Sequence, residues 1–418
     1  MRTGVEAIIG AMKSRKRASS PRLEAPAVMS LSTLAAPLAV LLLAACAQVP
    51  SLQTSAPLTA PAPDLAAEPW TVRVARFWTD GPGYYAQAIR GHLALWWRAQ
   101  PVQALIEAPQ TEPELKERLA LALEIRRFAS ARLALPDNGS YLRYVDLGRS
   151  HVVWNVQATP ELSLEPRRWC FPVAGCVAYR GFYDQADAEA FAARLRAQGD
   201  DVLVAGVPAY STLGWLDDPL LSSFIRYSEA DLAGLIFHEL AHQRVYVKGD
   251  TALNESFATA VEIIGVRRWL AQRAEGGPGA AALADWQARR ERRAEFLALL
   301  AGARAELAQL YRPGSDLEAQ RAGKRAVLER LRAQWLELRA RWGSGHGYDR
   351  WFEQEIGNAH LVSVALYTDL VPALLKMASR HGDDMAGFYR EMERLAGLKP
   401  EERSAWLGTT AIRPETRR

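Results

Sequence analysis

The feature that most constrains this chain is a pair of histidines, His238 and His242, four residues apart in the apolar run Ala233-Gly234-Leu235-Ile236-Phe237-His238-Glu239-Leu240-Ala241-His242-Gln243. So apolar a run is buried wherever it folds, and at helical spacing the two imidazoles leave one face of the helix a turn apart. That spacing lets both rings reach a single tetrahedral cation. Glu239 falls about 100° further round, beside such a cation rather than on it. From there its carboxylate can take a proton from a water and pass it on.

Two imidazoles leave such a cation short of a ligand, because a catalytic zinc takes three protein donors and keeps one position open. Helical periodicity resumes over 254–272, and Asn254 is placed to cap that helix. Two carboxylates lie on much the same face of it, Glu255 and, seven residues on, Glu262. Val245 and Lys248 stand where a metzincin would carry a glycine and a third histidine, so that route to a third ligand is closed. Of the other histidines, His92 and His151 sit among apolar or strand residues and read as packing residues rather than ligands.

H-E-x-x-H on a helix is the zinc-peptidase signature. Together with Asn254-Glu255-Ser256-Phe257-Ala258 it resembles the gluzincin pattern of thermolysin-like proteases and the large zinc aminopeptidases. There an Asn-Glu-Gly-Phe-Ala segment carries the third ligand. The resemblance implies one zinc ion held by His238, His242 and Glu255, with Glu239 as general base and a peptide as substrate. Two departures stand out: only twelve residues separate His242 from Glu255, a shorter spacing than in those enzymes, and Thr259 replaces their acidic neighbour of the metal site. Residues from about Gly83 to Leu270 further resemble a bacterial family of lipoproteins classed as aminopeptidases. Its phrases stand here as Leu135-Pro136-Asp137-Asn138-Gly139-Ser140-Tyr141, Trp169-Cys170-Phe171-Pro172-Val173-Ala174-Gly175-Cys176 and Tyr210-Ser211-Thr212-Leu213-Gly214-Trp215, returning at Asn358-Ala359-His360-Leu361.

A gluzincin also needs a donor for the developing oxyanion. His360, Tyr367, Tyr246 and Tyr210 are of suitable type; His360, opening a late helix, suits the role, with a structural histidine as the competing and stronger reading. Gluzincins place a substrate-pairing edge strand before the metal helix, which here is Val202 to Trp215. An aminopeptidase must also bind a free α-ammonium through carboxylates. The Gly-x-Met-Glu-Asn segment of the large aminopeptidases is missing, since no methionine lies between Met29 and Met377. Asp217, Asp218 and Glu262 are the acids that could replace it, with Tyr210 beside them for substrate. An endopeptidase, a hydrolase of other substrates, and a lipoprotein holding zinc structurally as a scaffold or chaperone are the competing readings. Glu239 weighs against the last, because a closed structural site has no use for a base.

The first 45 residues hold six of the 51 basic and two of the 47 acidic side chains, so the rest of the chain carries 45 of each. Nothing in that balance recommends nucleic acid as a partner. A basic stretch precedes an apolar run too short and interrupted to span a bilayer. It ends in Leu43-Ala44-Ala45-Cys46, which resembles the lipobox of bacterial lipoproteins. The resemblance implies a signal peptide over 1–45, a lipid on Cys46, and, with Ala47 next, the periplasmic face of the outer membrane. Residues 46–69 are rich in Pro and Ala and read as a tether, with the folded peptidase domain expected over 70–418. Of three cysteines, Cys170 and Cys176 remain as an even pair. In an oxidising compartment they form a small-loop disulfide; buried thiols are the alternative.

Elsewhere, helical periodicity over 85–97 and 112–135 gives way to short strands over 141–156, 173–183 and 201–207, with a helix at 187–198. Helices follow over 230–246, 254–272, 281–311, 315–342 and 358–395. Interleaved charges and the break at Pro313-Gly314 make 281–342 a solvated αα-hairpin. The expected class is α+β and helix-rich: a zincin-like core, a small mixed sheet within 141–216, and the long hairpin.

Overall fold

The computed structural model describes residues 82–171, 175–274, 279–343, 347–367 and 369–408. The expected signal peptide over 1–45, the expected lipid-bearing Cys46 and tether, and the expected start of the fold near Trp70 lie outside them. The elements are α1 (Pro82–Arg98), β1 (Gln100–Pro101), α2 (Val102–Glu107), α3 (Pro113–Leu133), β2 (Arg143–Val145), β3 (Val153–Pro160), β4 (Trp169–Phe171), β5 (Gly175–Val177) and β6 (Arg180–Phe182). They continue with α4 (Gln185–Ala197), β7 (Asp200–Val207), β8 (Leu220–Leu221), α5 (Glu229–Arg244), α6 (Thr251–Ala274), α7 (Gly279–Leu310) and α8 (Leu317–Trp342). The chain then closes through α9 (Asp349–Phe352), α10 (Asn358–Ala365), α11 (Val371–Ser379), α12 (Met385–Ala396) and α13 (Pro400–Leu407). The helix-rich α+β class is as expected. Among the described residues no helix is long and apolar enough to cross a membrane.

α5 lies at the centre because its sequence leaves it no solvent face. Every residue from Ala230 to His242 except Asp231 is buried, as an all-round apolar helix requires. Ser228 caps it by accepting from the Asp231 N–H at 3.2 Å, and Glu229 and Asp231 place negative charge at its positive end. α6 packs along one side and α3 along another. The α3 contact runs through Phe128, 5.8 Å from the Phe237 ring and 5.2 Å from that of Trp269. Gly265 lets α6 come this close: a Cβ there would stand 2.5 Å from Phe237 Cδ2 and 2.8 Å from Leu133 Cδ1.

Among the described residues the sheets are three and small. β3 is the centre of an antiparallel sheet in the order β6-β3-β7, paired from Val153↔Val207 to Pro160↔Asp200. α4 crosses from β6 to β7, capped by Asp184, which accepts from Ala186 and Asp187 N–H. Its Phe191 meets Trp154, Val156 and Phe182 in a core of their own. The mixed sheet is a different, smaller one, β1-β2-β8, with β2 antiparallel to β1 and parallel to β8. β4 and β5 pair separately, and Cys170 faces Cys176 across them as a disulfide.

The helical stretch expected over 358–395 is three helices, broken between Ala365 and Val371 and again between Ser379 and Met385. Gly382 at φ 56° turns the chain at the second break. The hairpin forms as read, with Gly314 at φ 91° in its turn and Asp316 capping α8. Its own core gathers Phe296, Leu300, Leu307, Leu331 and Trp335. It is moored to the sheet by Lys324, whose ammonium meets Asp201 at 2.7 Å, and by the Arg321–Glu161 pair.

If the α5–α6 approach depends on Gly265, Gly265→Ala should overpack that seam and cost about 1–3 kcal/mol. Urea unfolding of the purified protein measures this; an unchanged midpoint would show that the seam has slack.

Candidate metal centre

The loop joining α5 to α6 is short, so the two helices turn back on one another within a few residues. Asn254 sets that turn, though not as the cap expected. The helix already begins at Thr251, and Asp250 takes the capping place by accepting from the Leu253 N–H at 3.2 Å. The Asn254 side chain instead clamps Val247, accepting from its N–H at 2.7 Å and donating to its carbonyl at 2.8 Å. Glu255 is thereby aimed at α5.

Its carboxylate meets both histidines. Glu255 Oε2 lies 3.4 Å from His238 Nε2 and 3.5 Å from His242 Nε2, and all three side chains are buried. Their ligand atoms fall within 4.8 Å of one another. Bonds of about 2.0–2.1 Å to a tetrahedral zinc put neighbouring donors about 3.3 Å apart, so the spacing and the His₂Glu chemistry both fit one divalent cation. Glu239 is buried beside them.

Glu262 occupies a different place. Its Oε2 lies 3.2 Å from His238 Nδ1, on the side of the ring away from Glu255. Gly234, one turn before His238, makes room: a Cβ there would sit 3.3 Å from Glu262 Cγ. Burial opposes a charge on His238, but hydrogen bonds to Glu255 and Glu262 and the charges of Glu262 and Glu239 outweigh it and raise the imidazole to about 10. For His242 burial prevails and the shift is downward. Glu255 is lowered to about 2, the two histidines overcoming the burial that alone would raise it.

The flank of α5 is held by a further buried carboxylate. Asp218 accepts from Ser211 Oγ, Thr212 N and, at 3.1 Å, from Nε2 of Gln243, the residue after His242. Burial lifts Asp218 to about 7, against the lowering by these hydrogen bonds. Gln243 also accepts from Asn138 and donates to Ser140. The phrases around 135–141 and 210–215 therefore meet here, on the end of the metal helix. Leu213, a non-glycine residue at φ 56°, is the strained position that this hub fixes. Sequence reasoning named both phrases but gave no role to Gln243, Asn138 or Ser140; the juxtaposition is long-range and left no local signal.

The other site residues are placed as follows. Asp217 is exposed, and its carboxylate lies over Gly139, where a Cβ would stand 2.1 Å from Oδ2. Tyr210 is buried with its hydroxyl 3.0 Å from His92 Nδ1. His360 is buried in the first turn of α10, its Nδ1 accepting from the Gly357 N–H at 3.2 Å and its ring edge-on to Trp351. Burial lowers it to about 4. Among the described residues, neither Tyr210 nor His360 has a hydrogen bond to the triad.

A family model described as “Putative aminopeptidase” matches residues 83–407. The chain belongs to this family. The match spans α5 and α6 and also the hairpin and the late helices. No curated protein and no solved structure matches the chain.

If Glu255 is a ligand and Glu262 acts on His238 from behind, Glu255→Ala should lose the metal in elemental analysis. Glu262→Gln should keep a metal but bind it about 10–100-fold more weakly in chelator competition. The reverse pattern would exchange their roles.

Proposed function

We propose that this chain is a zinc-dependent peptidase that acts on peptides bearing a free amino terminus. The convergence of His238, His242 and Glu255 with Glu239 one residue along the same buried helix carries this reading. The family's description supports a peptidase-type activity.

His238, His242 and Glu255 would hold the cation, and when bound it supplies Lewis acidity toward a water and the scissile carbonyl. Glu239 does the proton work. Its carboxylate takes a proton from the attacking water and later delivers it to the nitrogen of the leaving amine. The apolar packing of α5 keeps these groups from wandering and excludes bulk water from behind them. His360, with Nδ1 already accepting a main-chain N–H, carries its proton on Nε2 when neutral. It is thus the kind of neutral donor an oxyanion needs, and we assign it that role.

For the α-ammonium, the acids differ in availability. Asp218 is committed to Ser211, Thr212 and Gln243, and Glu262 to His238. Asp217, exposed beside the Asn138–Gln243 contact, is the carboxylate we assign to the ammonium. The same reading places the enzyme on the periplasmic side of the outer membrane through a lipid on Cys46.

Glu239→Gln keeps shape and hydrogen-bonding capacity but cannot take the proton. Metal content should stay while peptide hydrolysis nearly vanishes; a loss under about tenfold, roughly 1.4 kcal/mol in barrier, would remove Glu239 from the chemistry. The amino-terminal preference is read by comparing a peptide with its N-acetylated twin. Acetylation should abolish cleavage, and an unchanged rate and cut position would make the enzyme an endopeptidase.

A further inference from the structure

Helix α1 is amphipathic in an unusual sense. Tyr84, Ala88, His92 and Leu95 form its buried side, as spacing of three to four residues demands. The opposite side is apolar too: Ile89 and Leu93 are only half-buried, Ala94 is exposed, and Trp96 and Trp97 are 58% and 76% exposed. The helix contains no acidic residue, while Arg90 and Arg98 stand exposed on it. The patch continues onto the next segment. A hydrogen bond from Val102 N to Leu142 O at 3.0 Å brings in Leu142, itself 42% exposed, beside exposed Pro101. Arg143 adds a further cation, bound to the carbonyl of Ala99. Arg98 likewise bonds a carbonyl, that of Asp146, whose carboxylate turns back to the Gly148 N–H at 3.0 Å.

Two neighbouring tryptophans left in water are costly for a lone soluble domain, and the same helix carries the exposed cations Arg90 and Arg98. We propose that the Trp96–Trp97–Leu142 face docks into the headgroup region of a bilayer containing anionic lipid. Indole rings favour that depth because one edge is apolar and the N–H stays hydrated. Arginines beside them meet lipid phosphates, and the absence of acids on the helix removes the repulsion such a surface would otherwise exert. A second copy packed helix against helix would set these arginines against one another, since α1 has no carboxylate to answer them. α1 is also the described element that follows most closely on the tether from Cys46, so a chain held there by lipid presents this helix first. The inference stands apart from the peptidase reading, since no residue of the metal centre takes part.

The test uses the full chain reconstituted into phosphatidylethanolamine–phosphatidylglycerol vesicles, with and without bromine in mid-chain. Brominated lipid should quench wild-type tryptophan emission, and Trp96→Ser/Trp97→Ser should lose about half or more of that quenching. Trp97→Phe, which keeps the ring, should lose the Trp97 share alone and guards against a folding defect in the double variant. Palmitate labelling of wild type against Cys46→Ser separately reports the anchor, so failure of the anchor and failure of the face are distinguishable. Equal quenching of wild type and double variant would overturn the proposal. So would a dimer in sedimentation that the double variant dissolves while quenching stays the same, since the face would then belong to a second copy.

Discussion

The contact of Glu255 with both histidines is the interaction on which the rest of this structure depends. Three acids, Glu239, Glu255 and Glu262, and two imidazoles are gathered where α5 and α6 meet, a place that otherwise holds Phe237, Leu240, Phe257 and Val261. Carboxylates there are costly unless each is answered by an opposite charge or a hydrogen bond. Glu255 is answered by two rings at once, Glu262 by the far nitrogen of one of them. A seam that did not bring these groups together would leave buried charge uncompensated. The helix register is therefore set as much by electrostatics as by packing, with Gly234 and Gly265 supplying the clearance both need.

Around that seam the fold acts as a set of braces of different reach. Asn254 works over seven residues, holding the α5–α6 turn. Gln243 works over more than a hundred, tying Asn138 and Ser140 to Asp218 in one polar hub. The hairpin works at the other end of the sheet, where Asn358 donates to the carbonyls of Glu161 and Ser163 and accepts from Tyr311. That joint fixes the start of α10, and with it His360, relative to β3 and β7.

These distances explain what the sequence disclosed. His238, His242 and Glu239 were legible because a helix converts spacing directly into direction. Glu255 needed only one more step, a short turn to the next helix. The hairpin was legible from its own periodicity and its Pro-Gly break. Glu262 could be placed on the face of Glu255 but not on the correct nitrogen of His238, because side-chain reach across a helix pair is a tertiary fact. Strands of two residues such as β1 and β8 have no pattern of their own and arise from the neighbours they pair with. The run 358–395 kept helical periodicity through its breaks, so periodicity alone joined what local geometry separates.

The placement of Glu262 has a consequence for the order in which the site is built. A carboxylate on Nδ1 of His238 accepts a hydrogen bond only if that nitrogen carries a proton, and in the neutral ring, the form that can ligate, this leaves the lone pair on Nε2. Nε2 is the atom that faces Glu255 and His242. Glu262 therefore favours the tautomer that would present a donor to a cation at His238, His242 and Glu255, and does so from outside that set. Were Glu262 itself the third ligand, His238 would lose this support and Glu255 would remain a buried anion between two rings with nothing to bind. The geometry makes the two glutamates complementary rather than interchangeable: one closes the triad from the front, the other orients it from behind.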